Sequence, residues 1–385
     1  MTARPTLAVQ DVLREHGREF RARYSLGPEQ LKAHDAMLSC RTGALGSHAL
    51  QCADCGHVEV SFNSCRNRHC PKCQALRRER WVAERESELL AVGYFHVVFT
   101  VPSELNALFF RNQRALYGLL MRCSWETVRD LAADPRFLGA RAGAIAVLHT
   151  WGRTMQYHPH AHLIVPAGGL DADGRWRACA RPDFLAPVRA MSRMFRGKVM
   201  AGIKRMWREG SLDLGGCAEG LAAEGAMRSL VDSMYEREWV AYCKPPFRDA
   251  GEVLRYLGRY THRVAISNHR LVSMEGGRVA FRYRDSRDGR SKTMRLDAVE
   301  FLRRLLVHVL PKGLAKVRHY GLLAGRGKTE RMALLRELTG TPEPRPVDAA
   351  AIVRRLIGRE PDRCPECGGR LVAPPGRDPG VRTIC

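Results

Sequence analysis

"QYHPHAHLIVPAGG", residues 156–169, places three histidines at every second position and then runs into an apolar stretch. In a β-strand successive side chains point to opposite faces. His158, His160 and His162 then share one face, while Ala161, Leu163 and Val165 share the other. Imidazoles presented together from a rigid strand suit a divalent metal, although a single histidine on such a strand is as readily a core residue.

Working outward, "GAIAVLHTWG" (143–152) reads as the preceding strand, joined to the histidine strand by a short polar connection that suits an antiparallel hairpin. "YFHVVFTVP" (94–102) is a β-branched and aromatic run ended by Pro102, again a strand. Helical segments lie between them, so the expected class is α+β. "VAISNHRLVSMEGGRVAFRYRD" reads as a hairpin turning at Gly276 and Gly277, and "DLGGCAEGLAAEG" reads as a loop. Residues 340–349, with three prolines, read as a linker into a cysteine-bearing tail.

The chain has 385 residues, enough for two or three domains, and Lys plus Arg exceed Asp plus Glu to give a net charge of +23. That excess favours a polyanion, most simply nucleic acid, over neutral partners. The first twenty residues lack the apolar core of a signal peptide and no run reaches membrane-spanning length, which predicts a cytoplasmic protein without membrane contact. In a reducing compartment clustered cysteines point to metal rather than disulfides.

"CADCGHVEVSFNSCRNRHCPKC" contains two C-x2-C pairs, Cys52 with Cys55 and Cys70 with Cys73. Two such pairs converge into a tetrahedral thiolate site, and zinc is its usual occupant. Cys40, His48, His57, Cys65 and His69 lie close enough in sequence for a second zinc, with the ligands undetermined. Arg66, Arg68, Lys72 and Arg77 crowd the second pair and the following helix, where they would neutralise phosphates. In the tail "CPECGG" supplies Cys364 and Cys367, with Cys385 beyond them, and no ordered site is expected there.

Tyr256 and Tyr260 in "EVLRYLGRYTHR" are four apart and share a face if the segment is helical. Read alone, the pair packs under a sheet; beside a metal, it supplies nucleophiles for strand cleavage by transesterification.

"HAHLIV" resembles the histidine-hydrophobic-histidine signature of HUH endonucleases, and "YLGRYTHRVAIS" with "NSCRNRHCPKCQ" resembles the two-tyrosine transposases of the insertion sequence 91 family. The similarity runs in order through "VLHTWG", "FRGK", "EFLRRLLVHVLPKG" and "RHYGLLA" and covers most of the chain. It implies an HUH-type antiparallel sheet flanked by helices behind a Cys-rich zinc-binding module. It further implies catalytic Mg2+ or Mn2+ on His160 and His162, with Tyr256 and Tyr260 as nucleophiles. His149 is the favoured third ligand, by analogy with relaxases that carry an upstream histidine at similar spacing; His158 and Gln156 compete.

The implied activity is cleavage and rejoining of single-stranded DNA at mobile-element ends and at target DNA, with a zinc structural module and Arg259 among the DNA contacts. A replication initiator or relaxase shares this chemistry, and a non-catalytic zinc DNA-binding protein is the alternative from another class. Expected divisions are 1–92 for the zinc module, 93–339 for the catalytic domain and 340–385 for linker and tail. Gly258, between the tyrosines, costs a helix about 1 kcal/mol relative to alanine.

Overall fold

The computed structural model describes residues 6–374, except 87, 182, 224, 248–251, 254–257, 259–264, 286 and 344–345. Helices α1 (Val9–Arg23) and α2 (Pro28–Ser39) open the chain. A hairpin of β1 (Ser47–Cys52) and β2 (Val58–Phe62) follows, then α3 (Gln74–Glu86). The middle of the chain runs β3 (Tyr94–Thr100), α4 (Asn106–Arg111), α5 (Gln113–Ala133), β4 (Gly143–Trp151) and β5 (Tyr157–Pro166). A small ribbon, β6 (Gly168–Leu170) with β7 (Trp176–Ala178), leads to α6 (Val188–Arg208), α7 (Ala226–Glu236) and β8 (Ala241–Phe247). Three strands, β9 (Leu271–Glu275), β10 (Arg278–Arg284) and β11 (Ser291–Asp297), precede α8 (Ala298–Leu306). The chain continues through β12 (Val317–Gly321), α9 (Lys328–Thr339), α10 (Ala349–Ile357) and β13 (Leu371–Val372).

Five strands form the central antiparallel sheet in the order β12-β4-β5-β3-β8. The period of two divides its faces cleanly. Ala144, Ala146 and Leu148 of β4, Ala161, Leu163 and Val165 of β5, and Phe95, Val97 and Phe99 of β3 enter one core with α4, α5 and α6. Ile145, Val147 and Ile164 enter a different core with Tyr94, Val253, Leu322 and Leu335. Each fully buried Leu, Val or Phe contributes roughly 1.5–3 kcal/mol of transfer free energy, so one face cannot be exchanged for the other by a one-residue slip. His160 and His162 therefore lie on the face of Ile164, and His149 on that of Ile145 and Val147.

A second sheet, β11-β10-β9, has α8 capped by Asp297, whose carboxylate accepts from the Val299 and Glu300 backbone amides. Val9, Val12, Leu13 and Phe20 of α1 share a core with Val279, Phe281, Phe301 and Leu302 from this region. Gln30 Nε2 donates to the Leu306 carbonyl across it. The boundary expected at residue 92 is therefore crossed by packing: the opening helices are built onto residues 271–306. The piece read as a loop holds a short 3-10 helix at Gly216–Ala222. Among the described residues no helix is long and apolar enough to cross a membrane.

Candidate metal centres

The β4–β5 register puts His149 directly opposite His160, and Val147 opposite His162. The three imidazoles meet with ring centroids 4.5 Å (His149–His162), 4.8 Å (His160–His162) and 5.3 Å (His149–His160) apart, and one ring nitrogen of each lies within 4.8 Å of the others. His160 Nδ1 donates to the His158 carbonyl at 2.6 Å, so its Nε2 is the nitrogen with a lone pair for a cation. His158 thus contributes its backbone to the cluster, and its ring lies beside that of His160 at 5.3 Å.

A fourth histidine supports this set. His96 of β3 hydrogen-bonds His162, Nε2 to Nδ1, at 2.8 Å, which directs His162 to use Nε2 toward the cluster. Burial drives His160 down to about 4, and pushes His162 well below the usual imidazole value, with His149 and His160 adding to the effect. Neutral imidazoles are the form in which a histidine ligates a metal, so the donor set fits a divalent cation. Trp151 stacks on His149 at 4.9 Å, and Lys316 Nζ lies 4.6 Å from the Trp151 ring centroid.

The cysteines sort differently from the sequence expectation. Cys52, Cys55, Cys70 and Cys73 do not share a site: Cys70 and Cys73 cluster with Cys40 and Cys65, while Cys52 and Cys55 cluster with Cys364 and Cys367. Sulfur separations are 3.4 Å (Cys40–Cys73) and 3.5 Å (Cys65–Cys73) in the first, and 3.5 Å (Cys52–Cys367) and 3.7 Å (Cys55–Cys364) in the second. Cys52 and Cys55 sit at the tip of the β1–β2 hairpin, and β2 runs back from it before the second pair, which carries the two pairs apart, while β13 pairs with β1 and brings the tail alongside Cys52. The tail read as lacking an ordered site supplies half of one.

A signal for this pairing was present in the sequence. Residues 52–56 and 364–368 are both C-x2-C-G, and both form the same knuckle. Gly56 (φ 72°) donates to the Cys52 carbonyl, and Gly368 (φ 76°) to that of Cys364, a left-handed conformation that glycine adopts without strain. Thiol hydrogen bonds within the first cluster, the Cys40 contact foremost, hold Cys73 far below the usual thiol value and raise Cys65 and Cys70. Four sulfurs crowded within 4.8 Å of one another are a donor set for a soft or borderline cation such as zinc.

Of the residues expected to meet phosphates, Arg68 is otherwise engaged. Its guanidinium donates to the carbonyls of Leu310, Pro311 and Leu314, tying the knuckle to the segment after α8. Lys72 Nζ donates to Gln10 Oε1. Arg77 is exposed on α3, and Arg66 is exposed in a left-handed turn (φ 52°). Tyr256, Arg259 and Tyr260 lie outside the described residues. Gly258 between them is buried, and a Cβ there would lie 2.5 Å from Val82 Cγ2 of α3.

Comparison with known proteins places the chain among transposases. A family described as "Transposase zinc-binding domain" matches residues 12–101, and one described as "Putative transposase" matches residues 143–331. The chain is 44% identical over 374 residues to "Putative transposase y4qJ" of Sinorhizobium fredii (strain NBRC 101917 / NGR234), covering 95% of this chain and 94% of that one. It is 30% identical over 351 residues to "Transposase for insertion sequence element IS801" of Pseudomonas savastanoi pv. phaseolicola, covering 87% and 81%. The solved structure "The structure of TrwC complexed with a 27-mer DNA comprising the recognition hairpin and the cleavage site" aligns with a TM-score of 0.24 and 12% identity over 64% of this chain and 74% of that one.

Proposed function

The chain belongs to the insertion sequence 91 family of transposases, and from that premise we propose that it cleaves and rejoins single-stranded DNA at the ends of its own mobile element through a 5′-phosphotyrosine bond. The observation that carries the reading is the convergence of His149, His160 and His162 from two paired strands on one face of the sheet. These three would hold Mg2+ or Mn2+. When bound, the cation polarises the scissile phosphate and offsets the charge that develops on it.

Tyr256 or Tyr260 is the nucleophile. Its oxygen gives up a proton and bonds to phosphorus, the bond from phosphorus to the 3′-oxygen breaks, and that oxygen leaves as a 3′-hydroxyl. The 5′-phosphate stays on the tyrosine with its bond energy retained, so the 3′-hydroxyl of another strand, including target DNA, can reverse the step. Two tyrosines let two strands be handled in turn. Support for their place comes from their sequence neighbours: Val253 is buried with Ile145, Val147 and Ile164, on the face that carries the histidines, and Gly258 packs on α3.

Each cysteine cluster holds one structural zinc. Functionally, residues 1–92 help grip the end sequence through Arg66, Lys72 and Arg77, residues 93–339 cut and join, with Arg259 at the strand, and residues 340–385 complete the second cluster. The protein works in the cytoplasm, where element DNA is found. The test is incubation with labelled single strands from both element ends plus Mn2+, on a denaturing gel. A slow covalent band that disappears with Tyr256→Phe plus Tyr260→Phe supports the reading; intact DNA binding with no band from the unmodified protein overturns it.

A further inference from the structure

A cavity of about 320 Å³ lies where the first cysteine cluster meets the end of the histidine sheet. Its wall is formed by His69, Gln74 and Trp81 on one side and by Trp151, His308 and Lys316 on the other. We propose that this cavity receives one unstacked nucleobase of the single strand being cleaved; the inference rests on the single-strand reading above and deepens it.

The lining matches a nucleobase in three respects. Two indoles give flat apolar surfaces of the kind on which bases stack without sequence preference. His308 is held by Thr150 and Met155 and shapes the wall, while Gln74 Oε1 and His69 Nδ1 bring hydrogen-bonding atoms suited to a base edge, and Lys316 brings a cation for the attached phosphate or a carbonyl oxygen. The volume is at the lower end of the roughly 300–1,000 Å³ typical of small-ligand pockets, enough for a single heterocycle.

Position carries the argument further. Trp151 is both a wall of the cavity and the ring stacked 4.9 Å from His149, so the pocket and the histidine cluster are separated by a single side chain. A strand carries one phosphate per about 3.4 Å of stacked length. A phosphate at the histidines therefore leaves a neighbouring base beside Trp151. Lys316 is fixed there because its carbonyl accepts from the Leu148 backbone amide, adjacent to His149. Because His69, Gln74 and Trp81 belong to the zinc module, a base seated here touches both parts of the chain, and end recognition becomes coupled to cleavage.

The test uses the full chain with zinc retained and no added Mg2+ or Mn2+, and a set of fluorescent end strands each carrying one abasic site. Binding anisotropy is expected to show one position, or two adjacent ones, next to the cleavage site where loss of the base weakens affinity about tenfold. Lys316→Ala, and separately Ala315→Phe, which fills the cavity from an exposed position, should weaken the intact strand by a similar factor and erase the abasic penalty. A uniform abasic profile in the unmodified protein overturns the proposal, as does a penalty that survives both substitutions. The covalent band is read in a parallel incubation with Mn2+: a uniform profile with a band removes only the pocket, and a position-specific profile without a band removes only the cleavage reading.

Discussion

The histidine cluster and the second cysteine cluster solve the same problem over very different spans of chain. His149, His160 and His162 come from two strands joined by a short turn, and their meeting follows from pairing register alone. Cys52 and Cys367 are 315 residues apart and meet because a two-residue strand, β13, adds to β1. A site written into one hairpin is set by local periodicity. A site made by closing the whole chain is set by tertiary packing, and the ion itself belongs to its folding free energy.

The sharpest way to break the comparison is at the sheet. His162→Ala should lower the covalent product at least about a thousandfold, since several kcal/mol of transition-state stabilisation depend on the cation it would help hold. The product formed in Mn2+ should fall while strand binding in its absence changes little. Equal loss of both would mean that the histidines hold the fold rather than the chemistry.

The cysteine side is tested by counting metal. Cys52→Ser and Cys367→Ser should each release the same one of two zinc ions, and Cys70→Ser the other, with both classes becoming markedly more sensitive to protease. Elemental analysis after gel filtration reads this directly. If Cys367→Ser leaves two ions bound, the tail does not complete the site.

Acid should act on the buried imidazoles. His160 and His308 are held down to about 4, in each case first by burial, against roughly 6.5 for an exposed imidazole. The unfolded chain therefore binds more protons between those values. Their contribution is complete above about pH 6.5 and is lost as pH falls toward 4, on the order of a few kcal/mol in total. Thermal melting of chelator-free protein from pH 7.5 to 4.5 should show a falling midpoint, less steep for His308→Gln; a flat profile would contradict their burial in the neutral form.

The smallest effect is expected at His96. His96→Ala should weaken Mn2+ binding about 10–100-fold, as loss of an orienting partner does, with His96→Gln recovering part of it. Calorimetric titration with Mn2+ measures this, and an unchanged affinity would show that the His96–His162 hydrogen bond orients nothing.

The sequence made the β4–β5 hairpin and the histidine face legible because alternation in a strand is a strong local code. It concealed His96, since one histidine inside "YFHVVFT" is indistinguishable from a core residue until the neighbouring strand is known. Arg68 looked like a phosphate contact because charge shows in a sequence and its partners do not; three carbonyls after α8 absorb it. The two C-x2-C-G knuckles announced their likeness, yet only the β13–β1 pairing joined them. The opening helices resembled a separate module because their apolar stripe gives no hint of which surface it covers.

The pairing of Cys55 with Cys364 also orders events during synthesis. Their separation of 309 residues, at about 5–20 residues per second, means that the first knuckle leaves the ribosome roughly 15 to 60 s before its partner exists. A prematurely terminated chain never closes that cluster. A fragment that carries the three clustered histidines but lacks Cys364 and Cys367 is left with Cys52 and Cys55 as an open thiol pair.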